Sequence, residues 1–160
     1  MKFLEEEPWS YEQHWVSRKG KRSFPCIGKD CPLCEIGSKT ATKMVYTVVN
    51  LTMDGAPVQT LEVTATNYDT LRAFNKDKKT GPLTRLFWVL SRTKKTKSSG
   101  FGTYNYSFLP VKERDLDEDY GIDPDIADTA VAGAKIPPPS KVLGKVTRRS
   151  LEDIADEAME

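Results

Sequence analysis

Apolar and polar positions alternate along much of the first two thirds of the chain, which is the pattern of half-buried β-strands. The cleanest alternation runs from Thr103 to Val111, where aromatic side chains occupy every second position from Tyr104 to Phe108. The segment from Lys43 to Met53 is rich in β-branched residues and predicts a strand that is buried on at least one face. Asp54-Gly55 then predicts a two-residue hairpin turn into a return strand from Val58 to Thr66.

Two further segments predict strands. His14 to Val16 begins the first strand of the body. Leu83 to Arg92 is the most apolar segment and predicts a central strand, with a helix as the alternative. The first strand, two hairpin-like pairs and a helix between them fit a mainly β fold, a five-stranded OB-fold barrel with an inserted subdomain that carries the cysteines. We choose the barrel because closing a small sheet hides its strand edges.

Four helices are predicted. One begins at Asn67 or Asp69, either of which can cap it, and ends near Asp77. A short helix is expected at residues 35–40, and Ile122 to Ala132 predicts either another short helix or an ordered arm lying on the body. Ser150 can cap an amphipathic helix that ends at Met159, which we expect to become ordered only on a partner, because so short a helix is marginal alone in water.

The charge distribution divides the chain into three parts. The net charge is only +1, but residues 1–13 sum to −3, residues 14–114 to +11 and residues 115–160 to −7. We therefore predict an acidic, flexible or loosely docked leader, a basic body and a partly flexible acidic C-terminal arm. A basic body suggests a polyanionic partner, and an acidic tail can compete for its site. The alternative is that the charges are segregated only for solubility.

The N-terminus and the cysteines indicate in which cellular compartment the protein is expected. No apolar run approaches the length of a membrane-spanning helix, and the opening MKFLEEEPWS is acidic, unlike a signal peptide. Three cysteines cannot all pair as disulfides, and a metal site built on thiolates implies a reducing environment. We expect a cytoplasmic protein with no membrane partner.

The only histidine and all three cysteines lie within twenty-one residues, as His14, Cys26, Cys31 and Cys34. Three thiolates and one imidazole are a complete tetrahedral ligand set for Zn²⁺. We predict a structural zinc site in a loop spanning residues 14–42. The alternatives are three unrelated thiols with a surface histidine, or a redox pair in C-x-x-C, which usually needs a βαβ context that is not evident here.

The body also combines basic and aromatic residues, the two ingredients of a groove for single-stranded nucleic acid. The same residues have ordinary explanations, because strand aromatics usually pack in a core and lysine runs are usually solvated. The candidates for nucleic-acid contact are Arg18, Lys19, Lys21, Arg22, Tyr46, Arg92, Lys94, Lys95, Lys97, Phe101, Tyr104 and Tyr106, with Trp15 as a further aromatic candidate. The sequence shows no glycine-rich phosphate loop, no Ser/His/Asp set and no carboxylate cluster suited to Mg²⁺, so we do not expect an enzyme.

These residues resemble those of the zinc-containing single-stranded DNA-binding proteins of tailed bacteriophages. The likeness lies in the opening HW, the late CPLC and the segment LFWVLSRTKKTKSSGFGTYNYSFLPV, and it covers about residues 14–114. It implies an OB-fold protein of DNA replication, recombination and repair, with the four metal-site residues as zinc ligands and Arg92 and the loop to Gly102 on the DNA. It also implies an acidic tail that contacts replication or recombination proteins. Self-association along the strand is a further expectation.

Two other functions stay open on the sequence. A zinc-ribbon module that binds a host polymerase would have the same cysteines but no affinity for a strand. A single-stranded RNA binder would share every feature above, because nothing in the sequence shows whether a 2′-hydroxyl is read.

Overall fold

The computed structural model describes residues 1–17, 21–94 and 104–159, and its strands form two antiparallel sheets. The prediction of a mainly β body with antiparallel pairing is confirmed. The strands are β1 (Lys2–Phe3), β2 (Trp9–Ser17), β3 (Lys21–Pro25), β4 (Thr40–Val49), β5 (Val58–Val63), β6 (Phe87–Lys94) and β7 (Tyr104–Val111).

β4 is the centre of the larger sheet. β1 and β2 pair with opposite halves of it, with Phe3 opposite Val48 and Trp9 opposite Val45. β5 also pairs with β4, and β3 extends the sheet beyond β2. β4 is rich in β-branched residues, which favour a central position where both edges of the strand are paired. Residues 14–42, predicted to hold the metal, begin in β2 and end in β4, where His14 lies opposite Thr40.

β6 and β7 form a separate two-stranded sheet, so the predicted central position of the Leu83–Arg92 segment is wrong. The sheets are joined where the Met1 amine donates to the carbonyl of Trp88 at 2.7 Å and the Trp88 amide donates to the carbonyl of Met1 at 2.9 Å. Across the described ranges, β5 and β7 each have one strand partner, and a cavity of about 310 Å³ lies between β5 and β6. No closed barrel is formed by these strands.

The main core contains Phe3, which is 1% exposed and packs edge-on against the rings of Tyr46 and Trp88. The prediction of a flexible or loosely docked leader is therefore wrong. The acidic run that suggested it is itself anchored, because the carboxylate of Glu5 accepts a hydrogen bond from the amide of Thr47.

The loop between β4 and β5 spans residues 50–57 and is longer than the predicted two-residue turn. It turns at Gly55, whose φ of 79° lies in the left-handed region that glycine adopts without strain. The hairpin itself is confirmed. Its strands pair from Met44–Val63 to Val49–Val58.

The helices are α1 (Pro32–Glu35), α2 (Ala65–Lys76), a 3₁₀ turn (Glu113–Asp115), α3 (Leu116–Tyr120), α4 (Pro124–Gly133), α5 (Pro139–Leu143) and α6 (Arg148–Met159). The helix between β5 and β6 is confirmed, but it begins after Thr64, so neither Asn67 nor Asp69 caps it. The short helix predicted at residues 35–40 lies earlier, because Pro32 suits the first helical position. None of the helices in the described ranges is long and apolar enough to span a membrane.

The C-terminal arm is helical and docks on the body. The predicted Ser150 cap is wrong, because Thr147 precedes α6 and the two residues exchange amide-to-hydroxyl bonds at 3.1 and 3.2 Å, as in a capping box. Leu151 and Ala155 are 1% and 5% exposed and pack on the cysteine loop. The expectation that this helix is ordered only on a partner is wrong, because its apolar side packs against the cysteine loop of the same chain.

Candidate metal centre and nucleic-acid interface

The four predicted metal ligands converge on one point. Their ligand atoms, one imidazole nitrogen and three sulfurs, all lie within 4.8 Å of one another. The Cys26 and Cys34 sulfurs are 3.6 Å apart, and His14 Nε2 lies 3.6 Å from Cys31 Sγ and 3.4 Å from Cys34 Sγ. Tetrahedral Zn²⁺ with ordinary bond lengths requires S···S of about 3.8 Å and S···N of about 3.6 Å. The donor set and its spacing therefore suit zinc.

Local backbone geometry produces this convergence. His14 reaches the site from β2, and Cys26 follows directly after β3, where its amide donates to the carbonyl of Glu12 at 2.7 Å. Cys31 precedes α1 and Cys34 lies within it, so the helical turn brings both sulfurs to one side. Gly28, with φ of 81°, makes the turn after Cys26 and donates its amide to the Cys26 sulfur at 3.3 Å.

The surroundings act differently on His14 and on Cys34. Burial lowers the pKa of His14, so the imidazole is neutral, as metal binding requires. Its Nδ1 lies 3.1 Å from the Ser38 hydroxyl, which orients Nε2 toward the sulfurs. Desolvation, and then the neighbouring Cys26 and Cys31 sulfurs, raise the pKa of Cys34 to about 11. Cys34 therefore becomes a thiolate at neutral pH only when a cation takes the place of its proton.

Backbone amides act on Cys31 in the opposite direction. Burial alone would raise its pKa, but backbone hydrogen bonds from Ile27, Cys34 and Leu33 outweigh that effect and lower it. The thiolate is the form of cysteine that binds metals. The site thus carries both the ligands and part of the hydrogen bonding that a bound ion would need.

An apolar cluster lies beneath the four ligands. Leu33 is fully buried there, and Val16 and Phe24 pack on it from β2 and β3. α6 covers the other side through Leu151, and Arg148 binds the carboxylate of Glu35 on α1. We call this unit, residues 14–38 with α6, the metal lobe.

Sequence reasoning missed three contributors to the metal lobe. Ser38 gave no signal, because a serine four residues after a cysteine is unremarkable. Glu35 gave no signal either, because its partner Arg148 is 113 residues away. Leu151 was placed correctly on the apolar side of a helix, but the pattern did not say which surface that side covers.

Eleven of the twelve nucleic-acid candidates fall into three groups. Arg18, Lys19, Lys95, Lys97 and Phe101 lie outside the described residues. Lys21 and Arg22 lie in β3, and Lys94 and Tyr104 form a register pair at one end of the β6–β7 hairpin; only their backbone positions are described. Arg92 and Tyr106 are exposed and opposite each other in the same hairpin.

Tyr46 is the one candidate that the structure contradicts. It is 1% exposed, and its ring centroid lies 5.3 Å from that of Phe3 in an edge-on contact. A ring enclosed on both faces by the core offers no surface to a base. Its position in the central strand explains the burial.

The Arg92–Tyr106 pair continues the core face of its hairpin. The preceding pair on that face is Leu90–Phe108, which packs in the main core, and the following pair is Lys94–Tyr104. The same face of one hairpin thus changes from apolar core to a basic–aromatic surface.

No family model matches the chain, and no curated protein or solved structure is significantly similar to it.

Proposed function

We propose that this chain is a sequence-independent single-stranded DNA-binding protein that coats exposed strands. The observation that carries the proposal is the Arg92–Tyr106 pair, in which a guanidinium and an exposed phenol ring lie opposite each other next to a basic loop. A cation neutralises a phosphate while the ring stacks on the adjacent base, and stacking accepts any base. The resemblance to the zinc-containing proteins of tailed bacteriophages supports a role in replication, recombination and repair.

The order of elements supports an OB-fold as the finer description. The strands β1 and β2, the β4–β5 hairpin, α2 and the β6–β7 hairpin occur in that order, and Met1 and Trp88 link the N-terminus to the second hairpin. We propose a partly open OB-fold in which the cavity between β5 and β6 marks the open seam.

We propose that the four-ligand site holds one structural Zn²⁺. Bound zinc would cross-link β2, β3 and α1. It would have no catalytic role, because the four side chains would fill its tetrahedral coordination shell and leave no position for a substrate. His14 and the three cysteines hold it, and Ser38 fixes the imidazole. We propose no enzymatic activity.

The acidic arm retains a role as a contact for replication or recombination proteins. Asp153 and Asp156 lie on the exposed side of α6, opposite the residues that dock it. A docked helix presents these carboxylates in a fixed array, which a basic surface of a partner could bind.

The proposal is tested by replacing Tyr106 on an otherwise intact hairpin. Tyr106→Ala should weaken binding to an oligo-dT strand by about 1–3 kcal/mol, whereas Tyr106→Phe should keep most of the affinity. Leu109→Ala is the matched control, because Leu109 is 57% exposed on the opposite face of the same strand. Equal affinity for all three variants would contradict the assignment of this face.

Arg92 tests the electrostatic half of the site. Arg92→Gln should lower the slope of log affinity against log salt concentration by about 0.7 if the guanidinium neutralises one phosphate of a single strand. An unchanged slope would remove Arg92 from the interface. A zinc-ribbon interaction module would show no strand affinity in any of these assays.

A further inference from the structure

The most exposed aromatic side chain near the metal lobe is Trp15, which is 49% exposed. It follows His14 in β2, and His14 is completely buried at the metal centre. Successive side chains in a strand lie on opposite faces. A metal bound by His14 would therefore hold β2 in place from one face while the indole of Trp15 lies on the other.

The residues on both sides of Trp15 in the chain are anchored in the metal lobe. His14 Nδ1 contacts the Ser38 hydroxyl, and Val16 packs against the apolar cluster with Phe24. The backbone at Trp15 is paired with Ser23 of β3. The backbone that carries this indole is already constrained. Binding a ligand there therefore costs little further backbone entropy.

The flanks of Trp15 are polar and mainly basic. Ser23 lies opposite it and is exposed, and Lys39 immediately precedes Thr40, the β4 partner of His14. The sequence that joins β2 to β3 is Arg18-Lys19-Gly20, followed by Lys21.

Farther along the same face the charges are balanced. Lys43 lies opposite Tyr11, whose hydroxyl donates to the carboxylate of Glu62 at 2.8 Å. By chain order and strand register, the basic sequence between β2 and β3 and the described Lys39 therefore adjoin Trp15, whereas the described charges around Tyr11 are balanced.

We propose that Trp15 is a base-stacking platform for an unpaired nucleotide, positioned by the metal lobe. This inference rests on the proposed function and adds a second contact surface to the Arg92–Tyr106 face. The occupant is a base of single-stranded nucleic acid, because an exposed indole supplies the stacking surface and the adjacent cations attract the flanking phosphates.

The test compares wild type, Trp15→Ala and Trp15→Phe on the full chain, with oligo-dT as the probe. Trp15→Ala should weaken binding by about 5- to 150-fold, and Trp15→Phe should recover part of that loss. Zinc content should stay at the wild-type level in both variants, because the indole lies on the face away from the ligands. Met53→Ala is the control for loss of an exposed apolar side chain, since Met53 is 50% exposed in the distant β4–β5 loop.

A spectroscopic reading separates stacking from a merely structural role. Oligo-dT should quench tryptophan emission of the wild type, and most of that quenching should disappear in Trp15→Phe, which keeps Trp9 and Trp88. Unchanged affinity of Trp15→Ala, or undiminished quenching in Trp15→Phe, would overturn the inference. If Tyr106→Ala still weakens binding in that case, the proposed function survives; if wild type binds no oligo-dT, both fail.

Discussion

Arg148 at the start of the last helix binds Glu35 of the helix that carries Cys34. Two guanidinium nitrogens lie 3.2 and 3.3 Å from the two carboxylate oxygens, and one of them donates to the carbonyl of Asp30 at 2.5 Å. This clamp, together with Leu151, makes the C-terminus part of the metal lobe. The acidic end of the chain is therefore a structural element as well as a carrier of charge.

Leu151→Ala should destabilise the metal lobe. The side chain is 1% exposed and lies against Cys31 and Leu33, so its truncation should cost about 2–5 kcal/mol of unfolding free energy. Urea unfolding followed by circular dichroism measures the loss. Asp156→Ala, on the exposed side of the same helix, should leave the midpoint unchanged; equal midpoints for both variants would show that α6 does not dock.

Removing zinc should loosen the lobe without abolishing the main core. Chelation, or Cys31→Ser, takes away the cross-link between β2, β3 and α1, whereas Phe3, Tyr46 and Trp88 pack elsewhere. We expect faster proteolysis within residues 14–38 and near α6, and weaker strand binding. Metal analysis should give one zinc per chain for wild type. Unchanged proteolysis and binding after zinc loss would contradict a structural role.

Deleting residues 148–160 distinguishes a structural tail from an inhibitory one. If α6 is part of the metal lobe, its removal exposes Leu33 and should lower zinc retention and strand affinity. A tail that only competes with DNA would give the opposite result, tighter binding with full zinc content. The double variant Asp153→Lys and Asp156→Lys isolates the charge, because both side chains are exposed and leave the docking surface intact.

Much of this architecture could be predicted from local sequence. The β-branched strand and its hairpin, and the one helix between strands, follow from patterns that span a few residues. The four ligands were also identifiable, because no other cysteine or histidine competes with them. Their close spacing along the sequence predicts that the four ligand atoms meet at one point, as they do in the structure.

Other features depend on contacts that local patterns do not encode. Tyr46 and Tyr106 are both strand aromatics, yet one is 1% and the other 37% exposed, because β4 is central and the end of the β6–β7 hairpin is not. The burial of Phe3 could not be predicted, because this residue lies in an acidic segment. The surface that Leu151 covers is more than a hundred residues away in sequence, so only the tertiary structure identifies it.

Glu113, at the end of the body, and Asp128 of the arm give a pH-dependent stability. A hydrogen bond with Asp128, and then its negative charge, raise the pKa of Glu113. The folded state therefore binds this proton more tightly than the unfolded state, and the contribution is full at low pH and lost as pH rises through the raised pKa. Glu113→Gln should raise the thermal midpoint at pH 7, with a difference from wild type that shrinks toward pH 4. Glu118→Gln, another exposed arm carboxylate, is the control; identical pH profiles for both variants would contradict the coupling.

The most direct test of the central claim is a salt titration of binding to matched single- and double-stranded DNA of equal length. We predict clear preference for the single strand, and affinity that falls linearly on a log–log plot as salt increases, because several phosphates are neutralised. A matched RNA strand in the same series shows whether the sugar is distinguished. Equal affinity for single strand and duplex, or no binding at low salt, would contradict the account.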